Sequence, residues 1–184
     1  MRELIRAELT AIAPLDALEH AHLSDALAWL DSGADLFRVA RPATPPKHLV
    51  SYFAMVDADR MLLVDHKNAR LWLPPGGHVE VGEHPRSTVA RELEEELGFR
   101  ASHDIEPPVM VTCTTTVGLT AGHTDVTLWY LVHATCTQAL TFDETEFAAV
   151  KWFQFSDIPF KRSDPHLRRF IHKLNAGMVG GFGS

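Results

Sequence analysis

Pro85 and Gly98 constrain this chain most, because together they mark the acidic segment between them as a short helix set inside a strand-rich stretch. Proline is tolerated in a first helical turn, where its missing N–H had no partner anyway, and glycine just past the last turn stops the helix. The pair predicts a helix over about 84–97. At about 100° per residue, Val89, Ala90, Leu93 and Leu97 share one arc, while Glu92, Glu95 and Glu96 share another. One face seeks a core and the other gathers three like charges. Carboxylates three and four residues apart repel by a few tenths of a kcal/mol when exposed, and more when partly buried. A hard divalent cation with oxygen ligands offsets that repulsion. A solvated acidic surface has the same pattern, and Glu94, which points away from the trio, reads as solvated.

The wider spacing decides between the two. Gly77, five residues, Glu83, seven residues, then Arg91, Glu92, an aliphatic, any residue, Glu95, Glu96, any residue, Gly98 and Phe99 resembles the Nudix box at every defined position. The resemblance is tightest over Gly77 to Phe99, extends loosely from His48 to Ile158 and does not cover the first 45 residues. It implies an α/β fold, a Nudix-type α/β/α sandwich on a mixed β-sheet, with the box forming a loop-helix-loop. By position it implies Glu95 and Glu96 as principal metal ligands and Glu92 as a further ligand or the base that activates water. The backbone carbonyl of Gly77 completes the shell, Glu83 is a secondary carboxylate, and Arg91 orients the glutamates. The implied cofactor is Mg²⁺ or Mn²⁺. The implied reaction is metal-dependent hydrolysis of a diphosphate bond in a nucleoside diphosphate linked to another moiety, with no covalent nucleophile. Many Nudix proteins add an acidic residue from a later loop; here Glu144 and Glu146 qualify, with Glu146 preferred for its distance from Trp152.

Several residues outside the box are candidates for touching substrate. Leu73-Pro-Pro-Gly-Gly-His78 reads as a rigid turn whose glycines let backbone come close to metal or phosphate, and His78 follows at once. Trp72 and Phe53 are candidates for stacking on a base. Tyr52 and Phe53 are adjacent in a strand, so only one of them faces a pocket; Phe53 is the expected one. His123-Thr-Asp125 is a polar pair that opens a strand, at a pocket mouth or in a turn. The family's markers for ADP-ribose and dinucleoside polyphosphates are absent around Thr114-Thr-Thr116, and no coenzyme A signature precedes the box. A nucleoside triphosphate, oxidised or not, cleaved to monophosphate and pyrophosphate, is therefore the expected substrate. The alternatives are an ADP-ribose or nucleotide-sugar pyrophosphatase and a non-catalytic nucleotide-sensing module.

Composition narrows the class further. The 184 residues, 46% of them hydrophobic, suffice for one core and a small appendage. A net charge of −7 argues against nucleic acid as a partner, since backbone binding demands a basic footprint, but leaves a small-molecule nucleotide open. No apolar run of about 18 residues predicts a membrane span, and the charged N-terminus does not read as a secretory signal, so a cytoplasmic location is expected. Cys113 and Cys136 read as reduced core thiols. The eleven histidines are scattered, without the paired spacing of a zinc helix. A homodimer is compatible with the family and is not decided by the chain.

Residues 2–12 and 15–31 read as helices, the second burying Leu15, Leu18, Leu23, Leu27 and Leu30. Residues 33–46, with Pro42, Pro45 and Pro46, read as a linker. Strands are expected at 48–56, 61–65, 109–117, 125–134 and 149–155, with a hairpin turn at 57–60 and a closing helix at 164–175. The expected organisation is an N-terminal helical extension and linker (1–46), a catalytic domain (47–176) and a flexible tail (177–184).

Overall fold

The structure, a computed structural model, describes residues 1–40, 44–100, 105–116 and 122–177. Pro42 of the expected linker, Val117 of the expected strand and the tail from 178 onward lie outside the described residues. The chain runs α1 (Arg2–Ala11), α2 (Ala17–Asp31), β1 (Lys47–Asp57), β2 (Arg60–His66), β3 (Leu71–Leu73), β4 (Gly76–His78), α3 (Pro85–Leu97), β5 (Met110–Thr115), β6 (Thr124–His133), β7 (Phe147–Gln154) and α4 (Leu167–Asn175).

One seven-stranded mixed sheet organises these elements in the order β3-β2-β1-β6-β5, with β4 paired to β1 and β7 paired to β2. Its centre is the parallel pairing of β1 with β6, in register from Lys47 opposite Thr124 to Val56 opposite His133. Both faces are covered, as a parallel pair at the centre requires. Leu49, Phe53 and Met55 of β1 turn to one side, with Val126, Leu128 and Tyr130 of β6, against Ile5, Leu9, Leu23 and Leu30 of α1 and α2 and Val89, Leu93 and Leu97 of α3. Ala54 and Val56, with Trp129 and Leu131, turn to the other, against Leu167, Phe170 and Leu174 of α4. That is the expected α/β/α sandwich.

The start of α2 departs from the expected leucine stripe. Leu18 is exposed while Glu19 is fully buried. The cause is Lys173 of α4, equally buried, whose ammonium donates to Glu19 Oε1. Asp16, which caps α2 by accepting from the Glu19 N–H at 2.9 Å, also accepts from Arg169 of α4 at 3.0 Å. Glu8 on α1 likewise meets Tyr130 (3.2 Å) and Arg86 at the start of α3. The N-terminal helices are thus bonded to both helices that flank the sheet.

Two strands escape prediction. β3 and β4 are three residues each, separated by Pro74-Pro75, and pair with β2 and β1. Cys113 sits on β5 as expected, and burial pushes its thiol up to about 12. Cys136 instead lies in the turn after β6, with its N–H bonded to Asp57 at 2.8 Å.

Candidate functional site

α3 is placed by its own ends. His84 caps it, Ser51 of β1 donates to the Pro85 carbonyl at 2.9 Å, and Gly98 closes it in the left-handed conformation at φ 59°. Leu93 and Leu97 anchor it to the sheet, so its polar arc is held over the turn 74–78.

Arg91 organises that arc. Its Nε and Nη2 each donate to Glu83 at 3.2 Å, and its Nη1 donates to Glu92 at 2.8 Å and to Glu95 at 3.1 Å. Nη2 also approaches the His78 carbonyl at 3.4 Å. Burial alone would raise the Glu83 carboxyl, but Arg91, the Thr88 hydroxyl and the Glu80 N–H outweigh it and hold that group below the usual range. Charge-assisted bonds of this kind fix carboxylates in place.

Glu96 is left without such relief. It is 4% exposed, it accepts one hydrogen bond from the Gly76 N–H at 3.1 Å, and no ion pair to it occurs among the described residues. Burial, followed by repulsion from Glu92 and Glu146, pushes its carboxyl up to about 9. Burial raises Glu92 too; Arg91 relieves part of this, while Glu95 and Glu146 add to it.

Glu146 bears on the pair through its charge, its Oε1 lying 3.4 Å from His66 Nε2, on a loop tied to the end of α3: the Thr141 N–H donates to the Leu97 carbonyl at 3.3 Å and the Asp143 N–H to that of Glu96 at 3.1 Å. Glu144 contributes its carbonyl, which accepts from Lys67. Gly77 lies against Glu92 so closely that a Cβ there would stand 1.9 Å from its Oε1.

Hard oxygen donors from Glu92, Glu96 and Glu146, mutually repelling and flanked by glycine backbone, fit a divalent cation of the magnesium class. Glu95 stands apart, its side chain 60% exposed and tied to Arg91 on the rim.

The aromatic candidates divide differently from expectation. Phe53 has no exposure at all and belongs to the core against α1–α3, where it is closed to a substrate. Its neighbour Tyr52 turns to the opposite face and packs against the second core cluster, edge-on to Trp129 at 5.2 Å. Burial, then the charges of Asp164, Asp125 and Glu96, raise its phenol well above 10. Strand alternation separates the two residues, but with both faces of β1 buried it does not say which side holds the site. Trp72 is half-buried on the α4 side, edge-on to Phe153 at 5.0 Å and below Arg162 at 5.8 Å.

His78 accepts from Arg38 at 3.0 Å, and burial, then that guanidinium, push its imidazole down to about 3. It does not stand alone. His48, His78, His123 and Asp125 bring one ligand atom each to within 4.8 Å of one another. Scattered along the chain, these residues give no spacing signal; the β1–β6 register sets His48 beside Asp125, and the β4–β1 pairing brings His78 to Val50.

The family model for the NUDIX domain matches residues 46–174. The m7GpppN-mRNA hydrolase NUDT17 of Xenopus laevis is 34% identical over 98 residues, 45% of this chain and 31% of that protein. The chain spans 31% to 41% of the length of the curated relatives it matches. The crystal structure of the MutT NUDIX hydrolase from Burkholderia pseudomallei is similar at a TM-score of 0.56 and 26% identity, over 70% of this chain and 98% of that one. That of a UDP-X diphosphatase is similar at 0.56 and 18% identity, over 97% of this chain and 94% of that one, a likeness of fold that takes in the N-terminal helices.

Proposed function

As the chain belongs to the NUDIX family, we propose that it hydrolyses a diphosphate bond in a nucleoside diphosphate linked to another moiety, with Mg²⁺ or Mn²⁺ held by Glu96, Glu146 and the Gly77 backbone. The observation that carries this reading is the buried Glu96, crowded by the charges of Glu92 and Glu146 and making no ion pair among the described residues. When bound, the ion supplies charge neutralisation at the phosphoryl oxygens and a more acidic water. Arg91 holds Glu92 and Glu83 in place, and Glu95 on the rim keeps Arg91 from turning away. Glu92 is the base in this scheme, because burial raises its proton affinity while Arg91 keeps it oriented. Tyr52 and Trp72, on the side of the sheet away from α3, supply contacts to the nucleoside. A nucleoside triphosphate, cleaved to monophosphate and pyrophosphate, is the first substrate we assign, and the cytoplasm the place of action.

A product-resolved panel tests it: triphosphates including oxidised bases, ADP-ribose, nucleotide sugars and the m7GpppN cap that the Xenopus relative is named for, each with and without Mg²⁺. Turnover of triphosphates that vanishes without the ion is expected. Cleavage confined to a diphosphate sugar or the cap would replace the substrate, and ligand-induced stabilisation without any product would replace catalysis by sensing.

A further inference from the structure

At the N-terminal ends of β1 and β6, on the face opposite α3, two buried polar atoms face each other without a hydrogen-bond partner. His48 is fully buried, and its Nδ1 lies 2.8 Å from the Pro45 carbonyl. A carbonyl only accepts, so Nδ1 carries a proton and that bond leaves Nε2 to find a partner of its own. That Nε2 lies 3.3 Å from Asp125 Oδ1, and both atoms are buried without a hydrogen-bond partner. His123 Nε2 stands 3.2 Å from the same oxygen. Buried polar atoms left unsatisfied in this way are costly and call for a missing partner.

We propose that His48, His123, Asp125 and His78 form a second metal site, separate from the glutamates, for a borderline transition ion of the zinc class. Three imidazoles and one carboxylate suit Zn²⁺ or Co²⁺ far better than Mg²⁺, which asks for oxygen ligands. The spacing suits it too. Tetrahedral bonds of about 2.0–2.1 Å set ligand atoms about 3.3 Å apart, and the distances from Asp125 Oδ1 to His48 and His123 are 3.3 and 3.2 Å. His48 has the backing that metal-bound imidazoles usually have, its other nitrogen donating to a backbone carbonyl. The Thr116 hydroxyl lies 3.1 Å from Nδ1 of His123 in the same manner. His78 joins by giving up Arg38, whose guanidinium now occupies its Nε2.

The test is titration of the chelator-stripped full chain with Co²⁺ in saturating Mg²⁺, followed by displacement with Zn²⁺. One Co²⁺ per chain with the intense visible absorption of a four-coordinate ion is expected, along with a rise in Tm and full displacement by Zn²⁺. Glu96→Gln should bind as the parent does. His123→Ala and Asp125→Asn should each weaken binding by more than the roughly 10–100-fold that loss of an outer partner brings. Circular dichroism checks both folds, and the near-isosteric Asp125→Asn decides if His123→Ala unfolds. No Co²⁺ uptake, uptake unaffected by both substitutions, or uptake abolished by Glu96→Gln would each overturn the proposal. Failure of the Mg²⁺-dependent hydrolysis leaves these outcomes unchanged, so the two readings fall separately.

Discussion

Two adjacent glycines perform different tasks. At Gly76, φ is 151° and a Cβ would stand 2.1 Å from the Ser51 carbonyl oxygen, backbone against backbone. At Gly77 the obstacle is only the carboxylate end of Glu92, which can swing away. Gly76→Ala should therefore cost on the order of 3 kcal/mol in denaturant unfolding, from strain and clash together. Gly77→Ala should unfold within about 1 kcal/mol of the parent yet lose about 10–100-fold in turnover, because it displaces a carboxylate it does not replace. Equal stability loss in both would remove the distinction. The glycines are visible in the chain as part of a rigid turn that lets backbone come close to a ligand; that one meets backbone and the other a carboxylate follows only from what each one touches.

At the scale of elements, local signals decided what was legible. α3 matched its expected bounds because Pro85 and Gly98 act on their own neighbours, and the hairpin at 57–60 formed with Asp57 opposite Arg60. β3 and β4 were not legible, since three residues carry no periodicity and their pairing depends on distant β2 and β1. The burial of Glu19 was not legible, because its partner, Lys173, lies 154 residues away.

The cap of α2 offers a pH test. Hydrogen bonding from Arg169 and from the Glu19 N–H holds Asp16 at about 2, against an ordinary 3.8. The folded state therefore binds fewer protons than the unfolded one in that range, so the stabilisation is whole above about pH 4 and disappears as pH falls through about 2. The side chain is 42% exposed, so the ion pair adds little and the cap dominates. Asp16→Ala should cost about 1 kcal/mol at pH 7. The difference from the parent should shrink to nothing toward pH 2 in urea unfolding; a gap that stays constant across that range would refute it.

Over the whole molecule, the sheet brings together what the chain keeps apart. The box glutamates were legible because one helix carries Glu92 and Glu96, and Glu146 because it precedes a recognisable Trp152. The His48, His78, His123 and Asp125 group was not, since strand register alone assembles it. Phe53 shows the same limit, since one residue of offset exchanges one face of the sheet for the other. Burial of like charges beside Glu96 is a destabilising arrangement that a bound cation would offset. Manganese titration of the full chain, followed by the electron paramagnetic resonance signal of the free ion, tests this most directly when the parent is compared with Glu96→Gln. The account predicts that the substitution removes at least one bound Mn²⁺ per chain and raises Tm in the absence of divalent ions. Superimposable binding curves for the two proteins would contradict it.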